Sequence, residues 1–280
     1  MAALAWMMPL AGLCGIVAVA YWIWRGQNPI KGLGLWPHPW AILDLGAGLV
    51  ISLLAVLGIF MVEWLLGGIR IDGAVVDTAV LASGAERAAL TIGWEEFSAR
   101  SLQLNGLQIA LGVLLGLVFG GRRTLGRRMD GGLRWAAWPA VVGGAALVGY
   151  LDLAARDATW SSALGTALGG LTYGIAFLGG RNLWLPFGLH FGWSFVLSVL
   201  GFPLGGLDGT AVVRQHPVDP ASLLTGGVHG PEAGVVGVVF RFVVIGLVIG
   251  YLRSRSSGDV RFATLDFPIR SYRNAPRRPA

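Results

Sequence analysis

Charge is scarce in this chain: Asp, Glu, Lys and Arg make up 13% of its 280 residues, about half of what a soluble domain uses to cover its surface. Cysteine is nearly missing too. Cys14 stands alone, which excludes an internal disulfide and any cysteine-based metal cluster, so packing and interhelical hydrogen bonds must hold the fold. Lysine is reduced to Lys31, and the net charge of +6 is therefore an arginine charge, gathered in loops and in the tail. That distribution points to lipid headgroups and away from nucleic acid. No glycine-rich loop follows a strand pattern, which removes the support for a dinucleotide or P-loop site. No repeat of about 20 to 50 residues is visible either.

What is abundant is apolar and small, with 55% hydrophobic residues and 44 glycines. Glycine weakens a water-exposed helix but lets membrane helices approach closely. Seven apolar stretches, roughly 3–24, 41–66, 88–120, 136–154, 161–178, 184–203 and 234–252, approach or exceed the length needed to cross a hydrocarbon core of about 30 Å. The expectation is an all-α, polytopic transmembrane bundle of about seven spans over residues 1–252, with a basic tail over 253–280. The first stretch has no basic segment before it, and Arg25 follows it, so it reads as an uncleaved helix with its amino terminus outside. Threading from there puts Arg25 and Lys31, the cluster Arg122, Arg123, Arg127, Arg128 and Arg134, and the arginine-rich tail in the cytoplasm. Residues 67–87 and 204–233 then lie outside. The arginine-rich, lysine-poor usage suggests a GC-rich bacterial genome, hence a bacterial cytoplasmic membrane.

Spacings of G-x-x-x-G at Gly112, Gly116 and Gly120, at Gly170 and Gly174, at Gly188 and Gly192, and at Gly246 and Gly250 read as close packing inside one bundle more than as a dimer face. Ionisable groups within apolar spans are costly and each one calls for a role. Asp44 and Glu63 sit near the ends of the second stretch, where structural or interfacial roles suffice, and Arg241 near the start of the last reads as a snorkelling side chain. His216 and His229 belong to a Gly- and Pro-containing external loop and read as solvated. His38, between Pro37 and Pro39, reads as a turn residue.

Two runs carry more. In Trp94-Glu95-Glu96-Phe97-Ser98-Ala99-Arg100, adjacent carboxylates repel, and Glu96 and Arg100 share a helical face on which they can pair. Glu95 is then the unpaired carboxylate, either a general base or a surface glutamate beside a structural ion pair. In Leu183-Trp184-Leu185-Pro186-Phe187-Gly188-Leu189-His190-Phe191-Gly192-Trp193-Ser194-Phe195, His190 and Ser194 are one helical turn apart and can donate to one point. A packing histidine is the alternative, though the flanking glycines open space beside the ring.

Together, E-E-x-x-x-R and L-W-L-P-x-G-L-H-x-x-W-x-F resemble the CPBP intramembrane proteases, the group that includes the CAAX prenyl endopeptidases and the Abi proteins of bacteriocin self-immunity. The resemblance covers roughly residues 88–200. It implies a glutamate-dependent endopeptidase in which Glu95 activates water, Arg100 fixes Glu96, and His190 with the residue four later stabilises the oxyanion. Two positions depart from the pattern. Asp152 stands where the family has the histidine of F-x-x-x-H, and Ser194 where it has asparagine. Asp152 can accept a proton as a histidine does but cannot act as a neutral nitrogen donor, whereas Ser194 retains a hydroxyl donor. The resemblance implies a membrane-embedded or lipidated peptide or protein substrate. No cofactor is expected: zinc requires three or four ligands, and the spans offer one histidine beside Glu95, Glu96 and Asp152. The alternative is a catalytically degenerate member that binds a membrane partner. A transporter is disfavoured, since no inverted repeat or pair of broken helices shows.

Overall fold

A computed structural model of the chain describes residues 39–74, 129–153, 158–180, 182–203 and 212–255, with isolated positions 20, 23 and 37. These residues are mostly helical. In chain order they form α1 (Pro39–Leu65), β1 (Ile69–Ala74), α2 (Met129–Asp152), α3 (Trp160–Gly180), α4 (Trp184–Val199), β2 (Val213–Pro217), two 3-10 turns (Gly227–His229 and Pro231–Ala233) and α5 (Val235–Arg255). Each helix falls on one of the apolar stretches. The stretches 3–24 and 88–120 lie outside the described residues, and with them Glu95, Glu96, Arg100 and His38.

Local chemistry sets the helix ends. Pro39 opens α1, where a missing N–H costs nothing. At its far end Gly67, at φ 70°, lets the Gly68 N–H reach the Glu63 carbonyl at 2.7 Å and the Gly67 N–H reach Trp64 at 3.0 Å, a Schellman closure. The same closure ends α4, with Gly201 at φ 77° and the Phe202 N–H on the Leu197 carbonyl at 2.9 Å. A reciprocal pair starts α3: the Thr159 N–H donates to Ser162 Oγ at 2.9 Å, and the Ser162 N–H to Thr159 Oγ1 at 3.1 Å.

Glycines decide how closely the helices approach. α1 and α4 run parallel; a Cβ on Gly188 would stand 2.9 Å from the Leu45 carbonyl carbon and 3.1 Å from Gly48 Cα. One turn on, Ser52 Oγ donates to the Leu189 carbonyl at 2.6 Å. α2 packs on α3, which runs parallel to α5, while α5 is antiparallel to α1. Ile51, Val56, Ile59, Tyr173, Ala176, Leu189, Trp193, Leu197, Val244 and Val248 belong to the core between them. Gly188 and Gly192 thus serve close packing, as their spacing suggests. A Cβ on Gly246 or Gly250 would meet nothing within 4 Å among the described residues.

α1 and α5 are long and apolar enough to cross a membrane, and only a third of each apolar window is buried inside the bundle. Ile42, Leu43, Leu54, Met61 and Leu65 on α1, and Val239, Phe242 and Val243 on α5, are exposed. Apolar faces of this extent are not left to water.

The all-α expectation needs a correction. β1 and β2 form a two-stranded antiparallel sheet, from Ile69 opposite Pro217 to Ala74 opposite Val213, with a bulge between Ile71 and Gly73. Asp72, in the bulge, meets His216 Nδ1 at 2.6 Å. The segments that carry β1 and β2 therefore lie at the same end of the bundle. The opposite end is tied as well. Asp44, fully buried, accepts from Asn182 Nδ2 at 2.8 Å, from Tyr251 Oη at 2.7 Å and from Arg255 with both carboxylate oxygens at 2.7 Å. Asp44 is thus a buried structural anchor, and Arg255 is taken out of the basic tail to serve it.

Candidate functional site

His190 and Ser194 occupy neighbouring turns of one face of α4 and are 4% and 2% exposed. α4 can start where it does because the Trp184 N–H is met by Asn182 Oδ1 at 2.9 Å and Pro186 sits in its first turn. The His190 ring stacks on Tyr173 of α3, with centroids 5.0 Å apart and planes inclined by 16°. Stacking fixes the plane of the imidazole and directs its nitrogens sideways within that plane. Gly188 and Gly192 lie on the other side, against α1, and allow α4 to approach close enough for this face to point at α3.

Asp152 ends α2 and is 8% exposed. α2 packs on α3. A residue that composition assigns to solvent faces Asp152. His229 Nε2 stands 4.0 Å from Asp152 Oδ2, and at 2% exposure His229 is among the most buried side chains of the protein. The correction has a clear physical cause: residues 218–234 fold back over the bundle. Ser161 Oγ on α3 holds the Ala233 carbonyl at 2.5 Å, and the Val235 and Val236 N–H groups bond to Leu223 and Leu224 at 2.9 and 3.2 Å. His216, by contrast, is exposed on β2.

Arg241 is the second correction. It does not snorkel: it is 3% exposed, its Nη2 donates to Glu232 Oε1 at 2.7 Å, and its guanidinium carbon lies 3.5 Å from the centre of a Trp193 ring. Trp193 Nε1 also donates to Glu232 Oε1, at 3.2 Å. One carboxylate oxygen thus joins the loop to α4 and α5. Gly165 and Gly169 on α3 make room for this cluster, the first for the Glu232 backbone and the second for the guanidinium, whose carbon a Cβ would approach to 3.3 Å. Glu232 was not singled out in the sequence. The available signal was Arg241 itself, since a cation in an apolar span implies a carboxylate partner. Glu63 is likewise fully buried, and among the described residues neither carboxylate oxygen has a hydrogen-bond partner.

Compared with protein-family models, curated proteins and solved structures, the chain finds no match.

Two buried groupings result: His190, stacked on Tyr173, with Ser194 one turn on along α4, and Asp152 with His229 across 4.0 Å. Such groups can hold and transfer protons and can donate to a developing oxyanion. Among the described residues no three His, Cys, Asp or Glu side chains converge as metal ligands. Asp152 with His229 is a pair, one or two short of a zinc ligand set.

Proposed function

We propose that the chain is a glutamate-dependent intramembrane endopeptidase of the CPBP type, a membrane bundle of about seven spans with its amino terminus outside and its carboxyl terminus in the bacterial cytoplasm. The observation that carries this reading is the buried pair His190 and Ser194 on one face of α4, with the imidazole plane held by Tyr173. A histidine held flat in this way keeps its N–H aimed at a fixed point, which is what an oxyanion donor requires.

In this mechanism Glu95 takes a proton from water, and the resulting hydroxide attacks the scissile carbonyl carbon. His190 and Ser194 donate to the oxygen as it gains charge. The C–N bond then breaks, and the proton held by Glu95 passes to the leaving nitrogen. Asp152 shares the proton load of Glu95, because two carboxylates facing one water cannot both be charged at low cost. Arg100 holds Glu96. The substrate is a membrane-embedded or lipidated peptide or protein.

The presence of Asp152 in place of the family's histidine favours a second reading, a degenerate member that binds a membrane partner without cutting it. Cleavage of a membrane-reconstituted peptide library separates the two. The protease reading expects Glu95→Ala and His190→Ala to abolish cleavage while expression and helicity stay near wild type, and chelators to have little effect. Absence of cleavage by the wild-type protein across the library, or loss with chelator and return with zinc, would overturn it.

A further inference from the structure

His229 sits in the interior against the usual economy of burial. The 3-10 turn Gly227–His229 turns Val228 outward to 50% exposure and the imidazole inward to 2%. Burial favours an apolar side chain such as valine, whereas a buried polar group without a partner is costly. Among the described residues neither ring nitrogen of His229 has a hydrogen-bond partner. The backbone is bent to obtain this placement, with Gly226, Gly227 and Gly230 at φ 77°, 55° and 93°. These conformations are open to glycine at little cost, and a Cβ on Gly226 would stand 2.6 Å from the Gly234 nitrogen.

The ring nitrogen aimed at an acceptor is Nε2, 4.0 Å from Asp152 Oδ2. The carboxylate next along the chain, Glu232, is engaged by Arg241 and Trp193. Asp152 is thus the acidic side chain within the ion-pair range of His229 among the described residues. A separation of this kind shortens when a site is filled, as hydrogen bonds in unliganded sites commonly do.

We propose that His229 is a positioning residue for Asp152: its Nε2–H closes onto the Asp152 carboxylate, fixes its orientation and keeps the negative charge on that group. This inference rests on the protease reading for its consequence, because in the Glu95–Asp152 pair the imidazole then selects which carboxylate stays charged and which receives the proton from water. Nitrogen donation absent from the side chain at position 152 is restored from a different element of the fold.

The test has two arms on the full-length protein in lipid nanodiscs. In the first, histidine ring nitrogens are labelled with 15N; the chain has 4 histidines, and His229→Gln identifies the relevant signal. Asp152→Asn should move the ring-nitrogen resonances of His229 and leave those of His216 unchanged, while Asp72→Asn should do the reverse. A His229 signal indifferent to Asp152→Asn sinks the inference whatever the cleavage data say. In the second arm, His229→Gln, which keeps an amide N–H near the Nε2 position, should retain most of the cleavage rate. His229→Leu should lower kcat on the order of tenfold or more with KM unchanged, within the usual worth of a group that positions acid-base chemistry. Equal kcat in the Leu and Gln variants would overturn the role. A wild-type protein that cuts nothing while the His229 signal still responds to Asp152 would sink the protease reading and leave the pairing standing.

Discussion

Glu232 gives the most direct measure of whether the folded-back loop is an integral part of the bundle. Its Oε1 receives both the Arg241 guanidinium at 2.7 Å and the Trp193 indole N–H at 3.2 Å. The paired side chains are 11% and 4% exposed, so solvent screening is slight. Glu232→Ala leaves a buried guanidinium without its counter-charge, which costs about 3–5 kcal/mol. Glu232→Gln retains an acceptor oxygen for both donors and should cost less, about 1–2 kcal/mol, the order of a hydrogen bond weakened by loss of charge. Arg241→Met alone strands the carboxylate. Combined with Glu232→Gln it removes both charges, and because Arg241 Nε already lacks a partner among the described residues, the double variant should be more stable than the sum of the single losses by about 1–3 kcal/mol. Trp193→Phe keeps a ring under the cation and loses only the indole donor. The assay is reversible unfolding in mixed micelles with increasing sodium dodecyl sulfate, run as a double-mutant cycle. A Glu232→Ala loss within about 0.5 kcal/mol, the range of exposed pairs, or strict additivity in the cycle, would refute a buried, coupled pair.

Glycine substitutions should separate packed from open helix faces. Gly188→Val drives a side chain into the α1 backbone and should cost about 3 kcal/mol or more, above ordinary overpacking because backbone cannot yield as a side chain does. Gly246→Ala, where a Cβ meets nothing within 4 Å, should be neutral or stabilising by about 0.5–1 kcal/mol; a clear loss there, in the same unfolding assay, would reveal a packed partner. Reporter fusions after residues 130, 215 and 270 should report inside, outside and inside, and an outside signal at 130 would overturn the orientation.

Much of the helical frame was legible in the sequence, because a membrane span is a local property. About 20 apolar residues in a row identify it without reference to anything else in the chain. Hence α1 to α5 fall on apolar stretches, with α1 and α5 long and apolar enough to cross a membrane, and His190 and Ser194 share a face because that follows from the helical period alone. The Gly188 and Gly192 spacing was readable for the same reason. The strand pair was less so. Ile69-Arg70-Ile71-Asp72 alternates as a strand does, but Val213-Arg214-Gln215-His216 does not, and each is short and finds its partner more than a hundred residues away, which no local pattern announces.

Tertiary structure decided the side chains whose surroundings depend on where a loop goes. Gly, Pro and a histidine between spans read as solvated by composition, yet left-handed glycines at 226, 227 and 230 turn residues 218–234 back onto α3 and carry His229 and Glu232 inside. Arg241 had to be either at the interface or paired. The sequence alone could not choose, because the choice depends on a carboxylate delivered by that loop and a Trp193 ring presented by α4. The same holds for Asp152, whose identity was plain in the sequence and whose facing imidazole was not. Periodicity determines which residues share a helix face. What stands opposite that face depends on long-range packing, and in a low-dielectric interior the opposite partner determines whether a charge is tolerated at all.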